Sequence, residues 1–125
     1  MRRLWVLLAF GLGPLAGCGG DDDGKARSIT LAAGEPLRVV AHEYSFDPEK
    51  VVVKGPGELR ITLRNEGRLA HDIRLMREDE DLGGTAAFEE GRRTARVPLS
   101  RGRYEFICSV GEHKQLGMAG TLQVR

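Results

Sequence analysis

From Glu58 to Arg64 the chain alternates without a break. Leu59, Ile61 and Leu63 fall on one side, and Glu58, Arg60, Thr62 and Arg64 on the other. Successive side chains of a strand point to opposite faces, so this segment is a strand with one face buried and one wet. Shorter pieces repeat the pattern. Ile29 and Leu31 alternate with Thr30. Leu37 to Phe46 follows Pro36 and is rich in Val and aromatic residues, and Val51 to Val53 runs from the Asp47-Pro48 turn to Gly55-Pro56-Gly57. His71, Ile73 and Leu75 oppose Asp72, Arg74 and Met76. Arg93 to Pro98 reads as a further strand. After the Ser100-Arg101-Gly102 turn, Tyr104, Phe106 and Cys108 share a side, and Leu122 and Val124 alternate with Thr121, Gln123 and Arg125. Residues 77 to 91 lack a clean period, and Thr85 to Glu90 suits a helical turn fenced by Gly83, Gly84 and Gly91. Short strands punctuated by Gly and Pro predict an all-β sandwich or small barrel. No internal repeat is visible.

Length and charge narrow the function classes. A chain of 125 residues holds one domain, which excludes a multidomain catalytic machine. Lys+Arg is 19 against 18 for Asp+Glu, so no basic excess draws in nucleic acid. The N-terminus is an address. Arg2 and Arg3 precede the apolar stretch Leu4 to Ala16, which at 13 residues falls short of the roughly 20 needed to span a bilayer. It ends in Leu15-Ala16-Gly17-Cys18, which resembles the lipobox of bacterial lipoproteins. The resemblance implies cleavage before Cys18 and acylation of its sulfur. The expected organisation is therefore a signal peptide over residues 1–17, a lipidated Cys18 with a flexible polar linker to Arg27, and a folded domain over 28–125. The expected location is the extracytoplasmic side of a membrane, periplasmic or at the cell surface. With Cys18 acylated, Cys108 is the lone thiol of the mature chain, a liability in an oxidising compartment unless buried or used.

Cys108 opens the segment that carries chemistry, Cys108-Ser-Val-Gly-Glu-His113-Lys-Gln-Leu-Gly-Met118, spaced C-x4-H-x4-M. A further imidazole, His71, lies upstream on a predicted strand. A thiolate, two imidazoles and a weak axial thioether form the ligand set of a blue-copper electron-transfer site. Each residue alone has a plainer reading: an inward Cys or Met is packing, a His on an apolar face is a bonded core residue, a loop His is solvated. The coincidence of type, order and strand–loop–strand setting points to a metal site with ligands His71, Cys108, His113 and Met118. His42, expected on one face with Val40, Tyr44 and Phe46, is assigned a structural role. Met76 is read as peripheral packing. The run Glu78-Asp79-Glu80-Asp81 is read as a solvated loop.

These residues carry a resemblance to a known family. The tail YEFICSVGEHKQLGMAGTLQV is similar to the C-terminal ligand loop of cupredoxins of the plastocyanin/azurin group, and LRITLRNEGRLAHDIRL resembles the strand and turn that deliver their first histidine. The resemblance implies a Greek-key β-sandwich of about seven to eight strands, one type 1 copper cycling between Cu(I) and Cu(II), and an edge of His113 that faces the redox partner. Two departures stand out. Gly111-Glu112 replaces a frequent Pro-Gly before the second histidine, and Asp72 replaces a frequent Asn after the first. The function expected is a monomeric one-electron carrier, not an enzyme, serving redox partner proteins at the membrane. The alternative is a copper storage or delivery protein of the same fold. A multicopper enzyme needs more histidines than the three present, and a metal-free adhesive β-domain leaves the ligand pattern without purpose.

Overall fold

The computed structural model describes residues 27–125. The expected signal peptide, Cys18 and all of the linker but Arg27 lie outside the described residues. Ten strands follow in order: β1 (Ser28–Ala32), β2 (Leu37–His42), β3 (Ser45–Asp47), β4 (Lys50–Lys54), β5 (Gly57–Asn65), β6 (Arg74–Arg77), β7 (Glu80–Gly84), β8 (Gly91–Leu99), β9 (Gly102–Ile107) and β10 (Ala119–Val124). They form a six-stranded sheet in the order β1-β4-β10-β9-β6-β7 and a four-stranded sheet in the order β3-β2-β5-β8. The all-β sandwich expected from the alternation is what forms. Its two sheets press their apolar faces together, as the pleat requires.

The strand count exceeds the expected seven to eight for two local reasons. The segment Leu37–Phe46 is not one strand: it folds back at Glu43-Tyr44, so β2 pairs antiparallel with β3. The fold-back also breaks the expected common face, since Phe46 is buried while His42 and Tyr44 are exposed. Residues 77–91, aperiodic in sequence, supply β7, which pairs with β6 around a turn where Glu78 adopts a positive φ of 54°. Thr85–Glu90 forms no helical turn. Phe88 instead exchanges backbone hydrogen bonds with His71, at 3.1 and 3.0 Å, and the chain bends at Glu89 and Glu90. That pairing satisfies backbone groups which a single helical turn leaves open, and it buries the Phe88 ring.

The core lies between the sheets. Leu59, Ile61 and Leu63 of β5 face Leu75, Phe106 and Leu122 of the larger sheet, all buried. The rings of Phe46 and Phe106 meet edge to face at 5.6 Å across the interface. Gly120 makes room for this contact, because a Cβ there would run into the Phe106 ring and the Glu49 carbonyl. Phe106→Ala is expected to cost about 3–5 kcal/mol, the usual range for emptying a buried aromatic site. Urea unfolding measures that loss. Every buried apolar residue of the described chain lies between Leu31 and Val124.

Candidate metal centre

Three segments distant in sequence meet at one end of the sandwich. Asn65, the last residue of β5, shapes the first. Its side-chain amide donates to the carbonyls of Leu69 and Phe88, both at 2.9 Å, and its oxygen accepts from the Gly67 N–H at 2.9 Å. These bonds set the loop that ends at His71. The sequence pattern placed His71 on a strand; it stands instead in an isolated bridge with Phe88, three residues before β6. Its side chain still faces inward and is fully buried.

Cys108 follows directly on β9 and is also fully buried. The chain then turns through residues 109–117 and returns. The His113 N–H bonds to the Val110 carbonyl, the Met118 N–H to the His113 carbonyl at 3.0 Å, and the Cys108 N–H to the Met118 carbonyl at 3.1 Å. Gly111 and Gly117 take φ values of 49° and 102°, in the left-handed region that suits glycine. The loop thus brings the backbone of Met118, whose side chain is fully buried, back beside Cys108.

The donor atoms converge. Cys108 Sγ lies 3.5 Å from His113 Nδ1 and 3.9 Å from His71 Nδ1. One ligand atom from each of His71, Cys108 and His113 falls within 4.8 Å of the other two. The two imidazole rings are tilted against each other with centroids 5.0 Å apart. Burial, the main cause, pushes the Cys108 thiol above its ordinary value, with the backbone N–H groups of Asp72 and Val110 pulling the other way. Such a thiol stays protonated near neutral pH until a cation displaces the proton. His42 stands apart from this cluster; it is exposed, with Nε2 3.8 Å from Glu66.

Two carboxylates support the donors. Glu43 gives one oxygen, Oε1, to three donors: the N–H groups of Arg68 at 2.7 Å and Leu69 at 2.8 Å, and His71 Nε2 at 3.1 Å. A proton on Nε2 leaves Nδ1, the atom facing the sulfur, free to donate its lone pair. Gly67 leaves room for this carboxylate, which a Cβ at that position would displace. The Leu69 N–H above all, helped by Arg68 and His71, holds the Glu43 carboxyl down from 4.5 to about 2. A depressed carboxyl stabilises the fold above its unfolded pKa and loses that contribution as pH falls through its folded one. Stability of the metal-free protein is therefore expected to decline between about pH 4.5 and pH 2, with Glu43→Gln flattening the decline, as thermal melts across that range will read. Asp72 is the second support. It accepts from the Ser109 N–H at 2.6 Å and from the Ser109 hydroxyl, pinning the start of the ligand loop to the residue after His71. Both departures from the resembled pattern thus have a place: Asp72 ties the loop down, and Glu112 lies exposed on its outer side.

Sequence reasoning missed Glu43. A lone acid at a strand end carries no pattern, and only the fold-back after β2 brings it to His71. Tyr44 was also missed as a neighbour; its ring centroid lies 5.0 Å from that of His113. The acidic run 78–81 caps the β6–β7 hairpin, with Asp81 held by the Arg74 guanidinium at 3.0 Å. Met76 is half-buried.

No family model matches the chain, and no curated protein matches it. Solved structures do match. Reduced auracyanin from the photosynthetic bacterium Roseiflexus castenholzii superposes with a TM-score of 0.66 at 18% identity, covering 72% of this chain and 96% of that one. Auracyanin B gives 0.62 at 20% identity, covering 74% and 89%. Rusticyanin from Thiobacillus ferrooxidans gives 0.62 at 19% identity, covering 78% and 82%. The chain has the cupredoxin fold. Among the neighbours, rusticyanin is described as a copper protein.

Proposed function

We propose that the protein is a one-electron carrier built on a type 1 copper centre, with His71, Cys108, His113 and Met118 as ligands. The observation that carries this reading is the convergence of one thiol and two imidazole nitrogens within 4.8 Å, from points 37 and five residues apart in the chain. The donor set fits the metal. A soft sulfur with two neutral nitrogens suits copper in both oxidation states, and the absence of carboxylate from the cluster disfavours hard cations. Bound copper supplies a Cu(I)/Cu(II) couple that takes up and gives back a single electron.

The protein's own residues do the rest. Cys108 gives up its proton to become the thiolate donor. His71, locked through Nε2 by Glu43, presents Nδ1 without searching among tautomers. His113 is only half-buried and lies at the surface end of the cluster. Tyr44, Leu69 and Leu116 are the exposed large apolar side chains of the described residues: the Tyr44 ring lies 5.0 Å from that of His113, Leu116 shares the His113 loop, and Leu69 lies in the loop that leads to His71. An apolar rim around a half-exposed ligand offers a partner close approach without a fixed ion-pair register. The acyl group on Cys18 would hold the domain on the extracytoplasmic face of a membrane, near membrane-bound redox partners, the domain itself acting as a monomer. The domain division at residues 17 and 27 belongs to the same reading.

The storage or delivery alternative needs exposed, exchangeable ligands. Full burial of His71, Cys108 and Met118 supports the carrier instead. Voltammetry with chelator competition separates the two. A reversible one-electron wave with slow loss of Cu(I) is expected; rapid surrender of Cu(I) without a reversible wave would favour delivery.

A further inference from the structure

The outward face of the four-stranded sheet carries five exposed arginines: Arg38 on β2, Arg60 and Arg64 on β5, Arg92 and Arg96 on β8. Strand register stacks them. Arg64 stands opposite Arg92, and Arg60 opposite Arg96, while Arg38 sits opposite Thr62, one strand from Thr94. Glu58 at the lower end neutralises Arg96 at 3.1 Å, and Glu66 at the upper end neutralises Arg64 at 2.6 Å. Between them Arg38, Arg64 and Arg92 rim a groove of about 230 Å³ floored by Val40 and Thr62. Each opposed pair thus holds one neutralised arginine, while Arg38, Arg60 and Arg92 have no acidic partner among the described residues. Five of the thirteen arginines of the described residues lie on this one face. An anionic surface laid against that face would give these three guanidinium groups partners.

We propose that this face docks on anionic phospholipid, its guanidinium groups straddling the headgroup phosphates. The choice of lipid over other anions follows from where the chain enters. From Arg27 the chain enters β1, the edge strand of the six-stranded sheet, and the Arg27 guanidinium pairs with Asp47 of β3 at 3.2 Å, so the tether joins the domain where that edge adjoins the β3 edge of the arginine-bearing sheet. The nine residues from Gly19 to Arg27 reach at most about 30 Å, and neighbouring strands lie only about 5 Å apart. The arginine face is therefore within reach of any membrane that holds Cys18. The proposal rests on the membrane-tether part of the function above and is independent of the metal. Docked by this side, the domain keeps its His113 end clear of lipid for a partner.

The test uses unacylated protein comprising residues 19–125, which contain the entire core described above, so the anchor contributes nothing to binding. Co-sedimentation with vesicles of phosphatidylcholine and phosphatidylglycerol is compared with pure phosphatidylcholine, at about 0.05 and 0.5 M salt. The wild type is expected to bind only the anionic vesicles and to leave them at high salt. The variant Arg38→Gln/Arg60→Gln/Arg92→Gln is expected to bind about a hundredfold more weakly, since each unpaired basic residue near such a surface contributes roughly a factor of five. The control Lys54→Gln/Arg101→Gln/Arg103→Gln removes equal charge elsewhere and is expected to retain binding. Matching thermal melts show that both variants fold. Equal weakening in the two triple variants, or no preference for anionic vesicles, would overturn the proposal. So would arginine-dependent retention on polyglutamate without vesicle binding, which would assign the face to an acidic protein.

Discussion

Cys108→Ser is expected to abolish the intense visible absorption of the copper-loaded protein and to weaken copper binding by more than about a hundredfold. Loss of a group that merely orients a ligand already costs 10–100-fold, and Cys108 is the sulfur around which both imidazoles gather, at 3.5 and 3.9 Å. A serine hydroxyl does not ionise near neutral pH and has no covalent path to soft copper, so charge-transfer intensity has no source. The fold itself should survive. The residue is fully buried, and a buried hydroxyl short of a partner costs about 1–3 kcal/mol, less than a typical domain's stability. Circular dichroism melts alongside copper titration separate the two effects. A variant that keeps the band would remove Cys108 from the ligand set.

Glu43→Ala is the other large effect. It strips an acceptor from two backbone N–H groups and from His71 at once. The loop before His71 loosens, and the imidazole becomes free to carry its proton on either nitrogen. Metal affinity is expected to fall 10–100-fold. Glu43→Gln keeps an oxygen in place and should retain most of that affinity, while removal of the negative charge raises the reduction potential. Nitrogen NMR of the metal-free protein gives an independent reading. His71 should hold its proton on Nε2 in the wild type and the Gln variant, and show mixed tautomers in the Ala variant. Unchanged tautomer and affinity in Glu43→Ala would confine Glu43 to a surface role.

The difference between Cys108 and Glu43 shows what a linear sequence can carry. Cys108, His113 and Met118 lie within one loop between two strands, so their spacing alone brings them near each other. His71 could be paired with them because alternation with Ile73 and Leu75 put it on the buried side. The strict alternation of β5 likewise foretold its packing. Glu43 reaches His71 only because β2 folds back on β3, a turn hidden inside a run of strand-forming residues. Phe88 departs from the expected helical turn for the same reason: within a glycine-fenced segment of low periodicity it is held by hydrogen bonding to His71, a partner 17 positions away. Local pattern encodes which face is buried. It does not encode which distant backbone completes a strand's hydrogen bonds, and that pairing supplies the polar support of the site. The arginine face lay in plain view as alternate residues of β5, yet only the register with β2 and β8 makes it a continuous surface.

The most direct measurement is the optical and EPR spectrum of the protein after one equivalent of Cu(II) is added to the metal-free form. Thiolate ligation by Cys108 with His71 and His113 predicts a strong visible charge-transfer band and an unusually small copper hyperfine splitting, both lost on reduction and regained on reoxidation. A colourless Cu(II) complex with an ordinary tetragonal EPR signal would contradict it.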